Sequence, residues 1–114
     1  MKHTMRLNPQ PFESMASGRK TIELRLYDEK RQAIRVGDEI EFVNSKDDSR
    51  RLLCTVSDLH VFDSFKDLYQ SLPLLKCGYT EEDVSTAAHT DMEAYYSAEE
   101  QRKYGVVGIE LKMV

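Results

Sequence analysis

The sequence predicts an α+β fold, a small mixed, mostly antiparallel β-barrel of about five to six strands with about three short helices. Two observations predict this class. Several short segments alternate apolar and polar residues with a period of two, which is typical of half-buried strands. The helical segments between them do not follow a β-α-β rhythm, which argues against a parallel sheet.

The composition sets the limits of this prediction. With 114 residues, of which 40% are hydrophobic, the chain can bury one compact core but not two, so we expect a single domain over residues 1–114. The net charge of -4 excludes a strongly cationic protein that coats nucleic acid. Residues 1–60 hold 11 basic and 10 acidic side chains, whereas residues 61–114 hold 5 and 10. A local cationic groove in the first half is therefore compatible with the acidic total.

The first elements of the chain are short. Alternation over residues 3–7 predicts a strand with Met5 and Leu7 on one face. Apolar residues at helical spacing then predict a helix over residues 11–17, which Gly18 can end because glycine readily adopts positive φ.

Residues 21–27 give the clearest strand pattern in the protein. Ile22, Leu24 and Leu26 fall on one face of the strand. The opposite face is polar and carries Thr21, Glu23, Arg25 and Tyr27. We therefore expect this strand to present charged side chains along one edge.

The middle of the chain predicts a hairpin region. Polar residues 28–32 predict a loop, and a turn at residues 36–38 leads into a strand over residues 39–43. Residues 44–48 predict another turn. The long run over residues 51–62 predicts a strand with a bend or bulge, a feature typical of small barrels.

The second half alternates between helices and turns. Apolar residues at three- and four-residue spacing predict a helix over residues 65–72. Residues 74–79 predict a loop, and residues 80–91 predict only short turns. A capping box of Ser97 and Glu100 opens a helix that ends before Gly105. Alternation over the last nine residues predicts a closing strand.

The cysteines and the hydropathy pattern indicate the compartment. Cys54 and Cys77 lie without a C-x-x-C partner or a flanking histidine cluster, so we expect free thiols. No apolar run approaches the roughly 20 residues of a membrane span, and none near Met1 resembles a signal sequence. We therefore expect a cytoplasmic protein without a membrane partner.

The candidate functional residues lie between the end of the first helix and the clearest strand. Gly18 ends the helix, Lys20 enters the strand, and Glu23 and Arg25 follow on its polar face. Because residues 23 and 25 are two apart on a strand, their side chains project to the same side, about 7 Å apart, and can share a ligand or an ion pair. The alternative that the residues alone favour is a solvated ion pair with a lysine at the strand end.

These residues match G-x-K-x-x-E-x-R, the signature of the ASCH family, whose domains have a PUA-like β-barrel fold. The resemblance to a small bacterial ASCH protein covers nearly the whole chain and rests also on three flanking segments. They are Pro11-Phe12-Glu13, Val36-Gly37-Asp38 and Tyr104-Gly105-Val106-Val107-Gly108-Ile109.

The resemblance implies a cleft that binds RNA or nucleotides beside the motif. Lys20 would be a point charge for phosphate, Arg25 a planar fork for phosphate or a base edge, and Glu23 an acceptor for base amino groups. Tyr27 is the preferred stacking residue, and Arg6 joins the cleft if the first strand lies beside it. We expect RNA or a modified nucleoside or nucleotide as partner, with no tight non-specific grip because the protein is acidic.

The family also implies an alternative, an amidohydrolase that deacylates a modified nucleoside such as N4-acetylcytidine. Lys20 matches the family's catalytic lysine, but the threonine position three residues later holds Glu23. Glu23 or Thr21 would then be the base or nucleophile. The distant acid stays open among four residues: Glu81, Glu82, Glu99 and Glu100.

The family's third association, metal-assisted RNA cleavage, finds little support in the sequence. His3, His60 and His89 are isolated from one another and from paired acids. We therefore expect neither a metal site nor another cofactor, and each histidine is better interpreted as a surface or strand residue.

Overall fold

The computed structural model describes all 114 residues. They form a mixed α+β structure with five strands and four α-helices. The strands are β1 (Lys2–Leu7), β2 (Ile22–Leu26), β3 (Glu39–Asn44), β4 (Asp47–Phe62) and β5 (Val106–Met113). The helices are α1 (Pro9–Ala16), α2 (Glu29–Gln32), α3 (Phe65–Ser71) and α4 (Ala98–Tyr104), and 3-10 turns cover Leu74–Cys77, Val84–Thr86 and His89–Ala94.

The five strands form one curled sheet, a half-barrel, in the order β1-β3-β4-β5-β2. The β1–β3 pair is parallel and the other three pairs are antiparallel, which confirms the mixed, mostly antiparallel prediction. The motif strand β2 lies at one edge of this sheet and β1 at the other.

Strand β4 is the longest element and carries the predicted irregularity. Its 16 residues pair with β3 at one end and β5 along the other, and the register with β5 shifts between Val56 and Asp58. The shift confirms the expected bulge, which allows one strand to serve both parts of a curled sheet. The strand begins at Asp47 rather than near Arg51, because Asn44 pairs directly with Asp47 and the turn is tighter than predicted.

The helices match the sequence patterns except in short segments. Ser97 and Glu100 form the predicted capping box of α4. The loop prediction for residues 28–32 was wrong, since Glu29–Gln32 form a helical turn that the Asp28 side chain caps at Arg31 N. Four polar residues carry no apolar periodicity, so only the cap could have indicated this turn.

The core has two parts, and only the smaller part includes residues of β2. The larger cluster centres on Met5, Phe12, Ile40, Phe42 and Ile109. The smaller cluster joins the apolar face of β2 to α3 through Ile22, Leu24, Leu26, Phe65 and Leu68.

Gly108 permits this close packing. A Cβ there would lie 2.6 Å from Leu72 Cδ1, so any larger residue would force the Leu72 side chain, just after α3, to move away from β5. This packing covers Ile22 and Leu24 on the apolar face of β2. No helix combines the length and the apolar composition that crossing a membrane requires.

Candidate functional site

A cavity of about 520 Å³ lies beside the polar face of β2. Its walls come from the end of β1, the start of α1, β2, and the 3-10 segments between α3 and α4. This volume falls within the about 300–1,000 Å³ that is usual for small-molecule sites. The cavity contacts Lys20, Glu23 and Arg25 of the motif.

Glu23 lies at the floor of the cavity between two cations. Its Oε1 is 2.9 Å from Lys20 Nζ, and its Oε2 is 2.8 Å from Arg25 Nε. The side chains of Lys20, Glu23 and Arg25 are 9%, 5% and 16% exposed. The polar face of the strand is therefore buried, and its charges neutralise one another in part instead of facing bulk water.

The neighbouring cations set the ionisation of Glu23. Burial raises its pKa, but the charges of Lys20 and Arg25 and their hydrogen bonds outweigh burial, so the net pKa lies below its ordinary value. Glu23 is thus ionised at neutral pH. The cluster of Lys20, Glu23 and Arg25 carries one net positive charge into the cavity wall.

Lys20 is held by the local fold on both sides. Helix α1 ends at a turn in which Gly18 has φ +83°, and Lys20 N then donates to Ser14 O at 3.0 Å. Gly78, with φ +115°, packs over the lysine, since a Cβ there would lie 3.4 Å from Lys20 Cδ and 3.5 Å from Nζ. The positive φ disfavours a side chain at residue 78, and a Cβ there would lie in van der Waals contact with the lysine.

Arg25 links the two edge strands of the half-barrel, β1 and β2. Its Nη2 donates to the backbone carbonyl of Arg6 at 2.9 Å, although β1 and β2 are opposite edges of the sheet. The sequence-based placement of Arg6 near the motif depended on strand adjacency. The two strands do not pair, but this hydrogen bond links them, and Arg6 lines the cavity. Its own guanidinium pairs with Asp48 at 3.1 Å.

A chain of hydroxyl and carboxylate groups forms another part of the cavity lining. The hydroxyls of Tyr69 and Tyr79 are 2.7 Å apart, and Tyr79 donates to Asp91 Oδ2 at 2.7 Å. This hydrogen bond, followed by one from Ala88 N, lowers the pKa of Asp91. Burial, with the bonds to Tyr69 and Asp91, raises the pKa of Tyr79, so it stays a neutral donor.

Two further tyrosines line the cavity. Tyr95 is 68% exposed, and Tyr96 stacks on Phe65 with ring centroids 6.0 Å apart. Burial raises the pKa of Tyr96. The wall residue Cys77 is also buried, which raises the pKa of its thiol to about 11 and keeps it protonated at neutral pH.

The structure brings together four of the six predicted site residues. Lys20, Glu23, Arg25 and Arg6 line the cavity. Thr21 lines a separate cavity of about 270 Å³, beyond the Lys20 side chain. Tyr27 packs against the larger core cluster instead.

None of the four glutamates considered as the distant acid lines the cavity; the acids that line it with Glu23 are Asp83 and Asp91. Glu100 is used in the cap of α4. Sequence reasoning considered Tyr95 and Tyr96 as stacking residues but missed Tyr79 and Asp91, because residues 80–96 show no regular apolar period. The one local signal was the density of tyrosine in that segment.

The histidines lie away from the cavity. His3 Nε2 is 2.8 Å from Asp38, and His60 Nε2 is 3.1 Å from Glu110. No group of three or more histidine, cysteine, aspartate or glutamate side chains is placed to hold a metal ion.

Comparison with known proteins relates this geometry to a family. A family model described as ASCH domain matches residues 5–114. The hypothetical protein PH0355 is 35% identical over 100% of both chains, with a TM-score of 0.80. Protein PF0455 from Pyrococcus furiosus is 31% identical, with a TM-score of 0.76, over 100% of this chain and 98% of the other.

More distant structures share the fold alone. The ASCH protein from Zymomonas mobilis is 14% identical, with a TM-score of 0.66, over 96% of this chain and 65% of that protein. No curated protein matches the sequence at a significant level.

Proposed function

This chain belongs to the ASCH domain family, and from that membership and its cavity we propose that it binds one nucleobase or nucleoside of RNA beside Lys20, Glu23 and Arg25. ASCH is a PUA-like family with a proposed role in RNA binding. The observation that carries the proposal is the buried ion cluster. A protein that needed these charges only for solubility would leave them in water, where they cost less to ionise.

The polar groups of the cavity suit a base edge. On the motif side, Lys20 and Arg25 have N–H groups beyond those that bind Glu23, and these can donate to carbonyl or ring nitrogen acceptors. Elsewhere in the lining, Asp91 can accept from an exocyclic amino group. A ligand that carries acceptors and donors on different edges, as nucleobases do, would satisfy these groups together.

The charge of the cavity favours a neutral group over a phosphate. Three cations line it, Arg6, Lys20 and Arg25, and so do three anions, Glu23, Asp83 and Asp91. Their formal charges cancel. A base or nucleoside fits such a site better than a bare phosphate, which needs uncompensated positive charge.

We assign base stacking to Tyr95 rather than Tyr27. Tyr95 is exposed at the cavity, whereas Tyr27 packs on the core. An aromatic ring that is free on one face can stack a base and contribute about 1–3 kcal/mol.

The test is calorimetric titration with the four common ribonucleosides and N4-acetylcytidine. We expect at least one to bind the wild type at a single site and to lose at least tenfold in affinity in Arg25→Ala. The control is Arg51→Ala, which removes an arginine from an exposed ion pair outside the cavity. Equal losses in both variants, or no binding by any nucleoside, would contradict the proposal.

A second candidate function, hydrolysis of an acylated base, is favoured by the contact between Lys20 Nζ and Glu23 Oε1. Glu23 would take a proton from water, and the hydroxide would attack the acetyl carbonyl. As the bond from N4 to the acetyl carbon breaks, Glu23 would return that proton to N4, which gives cytidine and acetic acid, which ionises to acetate. The lowered pKa of Glu23 makes it a weak proton acceptor, which is why we rank binding first. Thr21 does not line the cavity, so Lys20 and Glu23 would carry the reaction.

Incubation with N4-acetylcytidine, followed by chromatography, tests this candidate. Release of cytidine by the wild type and none by folded Lys20→Ala would establish the hydrolase. Binding without release would leave the protein a binder.

A further inference from the structure

Three exposed cations lie in chain segments that meet at Thr21, and none of them lines the large cavity. Thr21 N donates to Lys76 O at 2.9 Å, and Leu111 N donates to Thr21 O at 2.8 Å, which brings the Lys76 turn and the end of β5 to the motif. Arg19 precedes the motif lysine, and Lys112 follows Leu111. We call Arg19, Lys76 and Lys112 the Thr21 surface; all three are exposed.

The Thr21 surface differs from the other cations near the site. The cations of the cavity, and Arg50 and Arg51 of β4, are paired with acids. These pairs are Arg6 with Asp48, Lys20 and Arg25 with Glu23, Arg50 with Glu13, and Arg51 with Glu41. By contrast, none of the three cations of the Thr21 surface forms an ion pair.

The Thr21 surface lies next to the large cavity. Lys112 and Thr21 line the smaller cavity of about 270 Å³, and Lys20 lines both cavities. The Lys20 side chain is therefore the partition between them. On the other flank, Lys76 is followed directly by Cys77 and Gly78, which line the large cavity.

We propose that the Thr21 surface holds the phosphates of a single-stranded RNA while one of its bases occupies the large cavity. This inference depends on the proposed function, because it needs the base in that cavity. Because the formal charges of the cavity cancel, the phosphates of the bound RNA need cations that lie outside the cavity. The Thr21 surface supplies three unpaired cations at the partition, and each can neutralise one phosphate.

The experiment compares nucleosides with short strands. Adenosine, cytidine and uridine are titrated beside pentaadenosine, pentacytidine and pentauridine at salt concentrations from 50 to 200 mM. The variant combines Arg19→Gln, Lys76→Gln and Lys112→Gln. The matched control combines Lys30→Gln, Arg35→Gln and Lys66→Gln, which remove the same charge from exposed residues that line neither cavity.

The number of phosphate contacts sets the expected dependence of pentamer affinity on salt concentration. Three phosphate contacts on a single strand predict a slope of about -2 in log affinity against log salt, or about a 20-fold loss between 50 and 200 mM. We expect this slope in the wild type and the control variant, and a slope near zero in the Thr21-surface variant. Affinity for the free nucleoside should be equal in all three proteins.

Two failures are distinguishable. If no nucleoside or pentamer binds the wild type, the proposed function itself is wrong. If a nucleoside binds but the pentamer binds no tighter, or if the Thr21-surface variant keeps the wild-type slope, the base site stands and the phosphate surface is overturned.

Discussion

The chain contains the same charge motif twice, once inside the cavity and once on the surface of the sheet. Glu23 lies between Lys20 and Arg25, and Glu41 lies between Lys2 and Arg51, with arginine contacts of 2.8 Å in both. The lysine contact is 2.9 Å at Glu23 but 3.6 Å at Glu41.

The two clusters differ in their exposure to solvent. Lys20 is 9% exposed, whereas Lys2 is 55% exposed. Both glutamates have lowered pKa values. At Glu41 the largest cause is the hydrogen bond from Arg51, and at Glu23 burial opposes the shift most strongly and the two cations overcome it. Composition alone therefore does not make a site, because only the enclosed cluster has charges that a ligand can use without competing with water.

The Glu23→Gln substitution should have the largest effect on stability. The substitution leaves the charges of Lys20 and Arg25 enclosed without an anion, so we expect a loss of about 3–5 kcal/mol in the free energy of unfolding. Urea denaturation measures it. Glu41→Gln removes the same charge in the exposed cluster and should shift the urea midpoint far less. Equal shifts would show that enclosure makes no energetic difference.

A smaller effect is expected from Gly78→Ala, since Gly78 covers Lys20 and no glycine covers Lys2. Positive φ disfavours alanine by about 1–2 kcal/mol, and the new Cβ would contact the Lys20 side chain at ordinary van der Waals distance. Gly37→Ala is the matched control, because Gly37 has φ +95° and open space around its Cα. We expect the two variants to lose similar stability and only Gly78→Ala to weaken nucleoside binding, because Gly78 lines the cavity and Gly37 does not. The comparison fails if the two variants bind nucleoside equally well.

The pH dependence of stability sharpens the contrast further. Because the folded pKa of Glu23 lies below its ordinary value of 4.5, its ionisation stabilises the protein fully above that pH, and the contribution is lost as pH falls through the folded pKa. The difference in unfolding free energy between wild type and Glu23→Gln should therefore be constant from neutral pH to about 5 and shrink below 4.5. A difference that grows on acidification would mean that the pKa is raised.

The smallest effect on stability is expected from Lys2→Ala in the exposed cluster, and salt should remove it. Lys2→Ala should change the urea midpoint only slightly at low salt and not at all at about 0.5 M NaCl, because exposed pairs are screened over a few ångströms. The change caused by Lys20→Ala should persist at the same salt concentration. Loss of both effects together would indicate that solvent reaches Lys20 as freely as Lys2.

The sequence predicted the strands well because they follow local alternation. The motif strand, the bulged β4 and the capped α4 all carry patterns that depend only on neighbours in the chain. The family motif then located Lys20, Glu23 and Arg25 on one face. These parts of the site could be predicted from the amino-acid sequence alone.

Local sequence patterns could not predict that the polar face of the motif strand is buried. Strand alternation marks Glu23 and Tyr27 as equally polar, yet Glu23 is buried in the cavity wall and Tyr27 packs on the core. What decides between them is the segment from Cys77 to Tyr96, which folds back over β2 with little regular periodicity of its own. Long-range packing of irregular segments leaves no signal in residue spacing, so Gly78, Tyr79 and Asp91 were missed.

A nuclear magnetic resonance titration of the 15N-labelled protein with the ribonucleoside panel tests most directly whether the enclosed cluster is a nucleoside site. We predict saturable shifts of the backbone amides of Lys20, Glu23, Gly78 and Tyr95, with those of Lys2, Glu41 and Arg51 unchanged. Shifts centred on Glu41, or none at any cavity residue with any nucleoside, would contradict a nucleoside site at Glu23.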